Sequence, residues 1–237
     1  QASFVQRLGI GFSQVRSVRG AMEGETAHEL DHEYPTGDEE EEEKQVLNDG
    51  LTNMPAVLER TSESEPFAKR MCELEGVLTL HDLVFRDSIR LSKTKLQGLP
   101  ARIDVLSNLE TLFLTDNLIQ KLPPSFTALH KLQEFIIAGN RLQALPEEFG
   151  QLRSLHLLRL DGNCLEVLPE SFGNLAALTW LELQGNRIEK LPSSFGQLSA
   201  LEVLRADDNG LVELPDSFRD LRSLRQFRCS GNRLSSL

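Results

Sequence analysis

From about residue 86 onward, apolar and polar positions follow a pattern that recurs every 23 residues. The two-residue step between Leu112 and Leu114 predicts a short strand with one buried face. Pro123 rules out a strand or helix interior at its position, so the chain changes direction there. The three-residue steps from Phe126 to Leu129 and Leu132 predict a short helix or 3-10 segment with one apolar edge.

Three further landmarks keep the same step. Leu-Pro pairs begin at residues 99, 122, 145, 168, 191 and 214, and phenylalanines stand at 126, 149, 172, 195 and 218. A single unit buries too little apolar surface to offset the entropy of ordering its backbone, so the units must stack into a curved solenoid with a parallel sheet inside. The asparagines of the pattern are Asn117, Asn140, Asn163, Asn186, Asn209 and Asn232.

The pattern resembles the leucine-rich repeat, whose period range includes this step. The segments "LPESFGNLAAL" and "LPSSFGQLSAL" resemble intracellular repeats of the Ras-group type, as in plant intracellular Ras-group-related proteins and animal Ras-pathway scaffolds. The resemblance implies an α/β horseshoe whose concave face is a parallel sheet. It also implies that the asparagines bond to backbone groups and stack into a ladder. Scaffolding in small-GTPase or phosphatase signalling is the implied role.

The pattern also predicts the domain organisation. Residues 86–237 are expected to hold about six to seven repeats, the first divergent because Thr94 and Ile103 replace its asparagine and phenylalanine. Residues 66–85 are predicted to form a cap helix and strand, and residues 1–65 to be disordered. The chain ends at Leu237, where another Leu-Pro pair would be due, so we expect the array to continue.

The charge of the chain is concentrated in one segment. Of 36 acidic residues, 11 lie in residues 23–43, which contain no Lys or Arg; the rest of the chain holds 25 acidic and 25 basic residues. A balanced body lacks the basic face of a general nucleic-acid-binding protein. The tract either keeps the protein soluble, contacts a basic partner or covers a basic surface. No apolar run is long enough to predict a membrane span.

Residues that alternate with the buried strand leucines are predicted to line the concave face. The only tryptophan of the chain, Trp180, is therefore expected to be exposed on the sheet, between Leu157 and Val203. Apolar surface containing Trp and bordered by Arg and acids is typical of protein-binding hot spots; ordinary cross-strand packing is the alternative. The first predicted column is Thr111, Glu134, Leu157, Trp180, Val203 and Gln226, and the second is Phe113, Ile136, Arg159, Glu182, Arg205 and Arg228.

Other motifs point to little chemistry. His28-Glu29-Leu30-Asp31-His32 matches the H-E-x-x-H zinc-protease motif, but it lies in the acidic tract without an apolar helix face or a third ligand. Cys164 and Cys229 are interpreted as structural, and three scattered cysteines favour a reducing, cytoplasmic compartment. Residues 1–21 have the Arg-rich, acid-free bias of a transit peptide, unless Met22 is the true start.

These observations predict a non-enzymatic interaction module that binds a protein on its concave face, with no cofactor and no metal. Two alternatives stay open: a regulatory array within a larger enzyme, and a structural subunit of a large assembly. Exposed ion pairs among Arg159, Glu182 and Arg205 are a further expectation.

Overall fold

The computed structural model describes residues 86–235. The predicted disordered region 1–65 with its acidic tract, the predicted cap 66–85, the H-E-x-x-H motif and residues 236–237 lie outside the described residues.

The described residues build one open, parallel sheet in which the strands follow chain order. Each strand pairs with the next in a register of 23 residues, as in Leu158 with Leu181 and Leu181 with Leu204. This confirms the predicted horseshoe with a concave parallel sheet. The strands are β1 Ser88–Arg90, β2 Thr111–Phe113, β3 Glu134–Ile136, β4 Leu157–Arg159, β5 Trp180–Glu182, β6 Val203–Arg205 and β7 Gln226–Arg228.

The convex side consists of 3-10 segments, one between each pair of successive strands. Pro123 immediately precedes such a segment with φ −68°, where its fixed ring geometry suits the extended residue before the turn. The segments are η1 Ile103–Val105, η2 Pro124–Ala128, η3 Phe149–Gln151, η4 Glu170–Asn174, η5 Ser193–Gln197 and η6 Asp216–Asp220.

The core lies between the sheet and the 3-10 layer. The strand leucines at the centre of β4, β5 and β6 are fully buried. On the convex side the recurring phenylalanines form a continuous stack: Phe172 lies 6.1 Å from Phe149 and 6.2 Å from Phe195, with ring planes nearly parallel. Because every unit contributes the same side chains at the same height, each covers the apolar flank of the one before it.

The repeated asparagines supply hydrogen bonds between units. Asn140 donates through Nδ2 to the carbonyls of Leu114 and Ile137, and its Oδ1 accepts from the backbone N–H of Ile119 at 3.0 Å. Asn163 and Asn186 make the equivalent bonds one and two units further on. These side chains satisfy backbone groups that the short strands leave unpaired. The sheet that carries the concave surface is therefore held in register at its carboxyl edge.

Candidate functional site

The strand register assembles the concave face from two columns of side chains. Trp180 pairs with Leu157 on β4 and with Val203 on β6, and Glu182 pairs with Arg159 and Arg205 on the same strands. The remaining members of both predicted columns, from Thr111 and Phe113 on β2 to Gln226 and Arg228 on β7, take the corresponding places. The alternation of buried and concave positions follows directly from the two-residue period of a strand.

The concave face is more tightly covered than the sequence suggests. Trp180 is half-buried, whereas Ile136, Leu157 and Val203 are buried, with 5, 8 and 7% of their surface exposed. On the inside of a curved sheet neighbouring strands are about 4.8 Å apart, so a large side chain covers those beside it. The sequence predicted an exposed indole, but the structure shows a partly exposed one. The ring is not enclosed in the leucine core, and it lies beside the buried side chains of Leu157 and Val203.

Sequence reasoning missed the N-terminal continuation of the columns. Ser88 and Arg90 on β1 pair with Thr111 and Phe113. The guanidinium carbon of Arg90 lies 4.5 Å from the centre of the Phe113 ring, in a cation–π contact. The 23-residue step back from Thr111 and Phe113 leads to both residues, but the predicted columns begin at β2 and leave out the divergent first unit.

Glu182 is the centre of a polar cluster on this face. Its Oε1 accepts from the indole Nε1 of Trp180 at 3.0 Å and from Nη1 of Arg205 at 3.2 Å. Its Oε2 lies 2.8 Å from Nε of Arg159 and accepts from Nε2 of Gln184 at 3.3 Å. Four side chains therefore converge on one carboxylate, three of them from the strands β4, β5 and β6 and one from the residue that follows β5 by two positions. Gln184 was not among the predicted residues, because its position follows the strand proper.

The expectation of exposed ion pairs is wrong for this cluster. Only 4% of the Glu182 side chain is exposed, against 25% for Arg159 and 29% for Arg205. The long guanidinium groups and the indole lie over the shorter carboxylate and remove it from water. The charge-assisted hydrogen bonds are therefore stronger than those of a surface pair, and the loss of any partner is more costly.

Arg205 and Asp161 complete the cluster. The guanidinium carbon of Arg205 lies 5.3 Å from the centre of the Trp180 ring, a second cation–π contact. Asp161 follows β4, and its Oδ1 lies 3.4 Å from Nε of Arg159. Burial raises the pKa of the Asp161 carboxyl, and nearby Glu182 adds to the rise, although Arg159 acts in the opposite direction. The surface thus combines a fixed indole, two guanidinium groups and carboxylates in different environments.

Two of the three cysteines of the chain lie within residues 86–235. Cys164 and Cys229 are unpaired and partly buried. Burial, assisted by the carboxylate of Asp207, raises the pKa of the Cys229 thiol to about 11, which keeps it protonated at neutral pH. Between residues 86 and 235 no cluster of three or more His, Cys, Asp or Glu side chains is arranged to hold a metal ion.

Comparison with known proteins agrees with this architecture. A family model described as a leucine-rich repeat region matches residues 147–236, and a second model, leucine rich repeat, matches residues 108–129. A separate comparison with curated proteins found no match. The described residues therefore form a leucine-rich repeat array, whereas the Ras-group type stays a prediction.

Solved structures of leucine-rich repeat proteins are similar to this chain in fold. A leucine-rich repeat protein of Leptospira interrogans is similar at 29% identity and a TM-score of 0.50, over 62% of this chain and 44% of that one. YopM, a leucine-rich effector of Yersinia pestis, is similar at 29% identity and a TM-score of 0.53, over 63% of this chain and 39% of its own.

A plant protein is similar over a shorter share of its length. It is the ectodomain of the Arabidopsis thaliana membrane receptor kinase GASSHO1/SCHENGEN3, solved in complex with CASPARIAN STRIP INTEGRITY FACTOR 2. The identity is 32% and the TM-score 0.53, over 57% of this chain and 17% of the receptor chain. This chain spans less than half the length of each of the three matched chains.

One further property concerns membranes. Within the part of the chain that the structure describes, no helix has the length and apolar character needed to cross a bilayer.

Proposed function

We propose that this protein is a non-enzymatic interaction module that binds a protein partner on its concave sheet. Leucine-rich repeat regions generally mediate protein–protein interaction, and such arrays are typically non-catalytic. The observation that carries the proposal is the half-buried indole of Trp180, held by Glu182 on the open face of the sheet. A rigid aromatic side chain beside arginines is the composition of a binding hot spot.

The cellular setting is part of the same proposal. The resemblance to Ras-group repeats supports a cytoplasmic scaffold whose partner is a small GTPase or a phosphatase. The even charge balance outside residues 23–43 supports a protein partner over nucleic acid.

Affinity capture with the full chain tests the proposal. Trp180→Ala should lower the recovery of the main partner at least about tenfold, because hot-spot aromatics contribute most of the binding energy. Captured proteins are identified by mass spectrometry, and the affinity is then measured with the purified partner. Val167→Ala is the matched control, since Val167 is 60% exposed and lies outside the strands.

Circular dichroism must show that both variants are folded under the conditions of the capture for the comparison to hold. Equal recovery of every partner by wild type and Trp180→Ala would show that the concave indole is not the docking point. Recovery of proteins other than GTPases and phosphatases, with the same dependence on Trp180, would retain the surface and reject the pathway.

A further inference from the structure

The repeat does not require a carboxylate at the position of Glu182. The same column holds Phe113 on β2 and Ile136 on β3, and Ile136 is buried there. Replacement of a buried ion pair by apolar side chains is often neutral or stabilising. An apolar side chain at this position would therefore pack the sheet as well as Glu182 does, and the polar cluster around Glu182 needs an explanation other than the stability of the array.

The cluster holds the indole of Trp180 from two directions. Oε1 of Glu182 accepts from the indole Nε1 at 3.0 Å, and the guanidinium carbon of Arg205 lies over the ring, 5.3 Å from its centre. The same Oε1 accepts from Nη1 of Arg205 at 3.2 Å, so one oxygen sets both contacts. A contact at the edge of the ring and another over its face together favour a single rotamer of Trp180.

The other carboxylate oxygen of Glu182 is engaged on the side away from the ring. Oε2 lies 2.8 Å from Nε of Arg159 and accepts from Nε2 of Gln184 at 3.3 Å. Both oxygens therefore have partners within the cluster, and the position of the carboxylate that holds the indole is itself fixed.

Glu182 is not available to a partner. Its side chain is 4% exposed, so any effect of Glu182 on binding must pass through the groups that it holds. The indole N–H is already donated to Glu182, and the ring therefore offers a partner its carbon surface. The strength of such a contact depends on where the ring lies. A side chain that is held in its bound orientation before the partner arrives loses less conformational entropy on binding.

We infer that Glu182 is a positioning residue for binding on the concave sheet: its buried carboxylate holds the Trp180 indole in the orientation that meets a partner. Glu182 contributes to affinity through the ring and makes no contact with the partner. The inference rests on the proposed concave binding function and assigns no charge to the partner.

Time-resolved fluorescence anisotropy of the full chain tests the positioning, because Trp180 is the only tryptophan. The wild type should lack a large sub-nanosecond decay. Glu182→Ile, which introduces the residue that β3 has in this column, should add one, since a released side chain changes rotamer within picoseconds to nanoseconds. If circular dichroism shows that this variant does not fold, Glu182→Ala takes its place with the same expected result.

A second variant separates positioning from a loss of stability. Asn140→Ala removes hydrogen bonds that join other parts of the array, to Leu114, Ile137 and Ile119. It should lower the stability of the folded chain and leave the anisotropy decay of Trp180 as it is in the wild type. A sub-nanosecond decay in Asn140→Ala as large as in Glu182→Ile would show that any destabilisation releases the ring, and would overturn the positioning role.

Peptide affinity connects the position of the ring to binding. The probe is a peptide selected from a random display library on the immobilised full chain, and it must bind Trp180→Ala at least about tenfold more weakly than wild type. Glu182→Ile should weaken its binding about three- to tenfold, the range expected for ordering one side chain. In the Trp180→Ala background the same replacement should change the affinity less than about twofold, because Glu182 acts through the ring. Glu213→Gln removes one negative charge from an exposed ion pair and should bind as the wild type does.

The failure of the inference and the failure of the proposed function give different results. An indole that is mobile in the wild type, or equally fixed in Glu182→Ile, would overturn the positioning role and leave the proposed function standing. An equal loss of affinity with and without Trp180 would overturn it as well, because Glu182 would then act by another route. If the ring is fixed and no peptide depends on Trp180, the proposed function is wrong and the role of Glu182 in binding falls with it.

Discussion

At the scale of single residues, two carboxylates next to the same arginine have opposite energetic roles. Glu182 accepts hydrogen bonds from Trp180, Arg205 and Gln184, forms an ion pair with Arg159, and is covered by these partners. Asp161 is partly buried, and its contact with Arg159 is longer, so burial dominates and raises its pKa. Folding therefore disfavours the ionised form of Asp161.

Substitution of each carboxylate by its amide should show this difference. Glu182→Gln should lower the free energy of unfolding by about 1–3 kcal/mol, because partly buried donors lose a charged acceptor. Asp161→Asn should not lower it at pH 7. Urea unfolding followed by circular dichroism measures both, with Glu213→Gln in the exposed Lys190–Glu213 pair as a control that should match wild type.

The pH dependence of the stability of Asp161→Asn tests the direction of this pKa shift. A pKa raised by folding means that the Asp161 contribution to stability is present below the ordinary Asp pKa and lost as pH rises through the raised pKa. Any advantage of Asp161→Asn over wild type should therefore shrink as the pH falls. A variant that is less stable than wild type at pH 7 by as much as Glu182→Gln would contradict the assignment.

At the scale of elements, the strands are too short to hold the sheet alone. Each has three residues, and the inter-unit bonds continue beyond it through the asparagine side chains. Asn140 is 6% exposed; its Nδ2 donates to the carbonyls of Leu114, Ile137 and Ala138, and its Oδ1 accepts from the backbone N–H of Ile119. The ladder and the phenylalanine stack therefore fix the two edges of every unit.

Asn140→Ala should lower the free energy of unfolding by roughly 3 kcal/mol or more, since it leaves several buried backbone groups unpaired, each costing about 1–3 kcal/mol. Asn174→Ala is the matched control: Asn174 is exposed at the end of η4 and should change stability by less than about 0.5 kcal/mol. Urea unfolding of both variants provides the comparison. Equal midpoints would mean that water replaces the ladder bonds.

Most of the secondary-structure elements and their packing could be predicted from the sequence. The positions of β2 to β7, the 3-10 layer and the phenylalanine stack follow from the 23-residue spacing, because local periodicity determines which side chains face the core. The burial of Glu182 could not be predicted. It depends on how Trp180, Arg159 and Arg205 orient their long side chains across three strands, and a one-dimensional pattern contains no rotamers.

At the scale of the whole molecule, the array is quasi-one-dimensional. Each strand pairs with the next one at the same offset of 23 residues, from β1 to β7. The side chains that recur in every unit pack the core. Recognition of a partner must therefore depend on positions whose residues differ from one unit to the next. Trp180 and the uneven distribution of arginines along β4 to β7 are such differences. Partner identity is not encoded in the repeat itself, which is why the family resemblance predicts a fold more firmly than a pathway.

The most direct test of this account is acrylamide quenching of the fluorescence of Trp180, which is the only tryptophan and therefore the only source of indole emission. We predict a quenching constant clearly above that of a core indole and below that of the same chain unfolded in urea, because the ring lies half-buried on an open sheet. An indole in the native chain that acrylamide cannot reach would place the ring within the leucine core and contradict the concave binding surface.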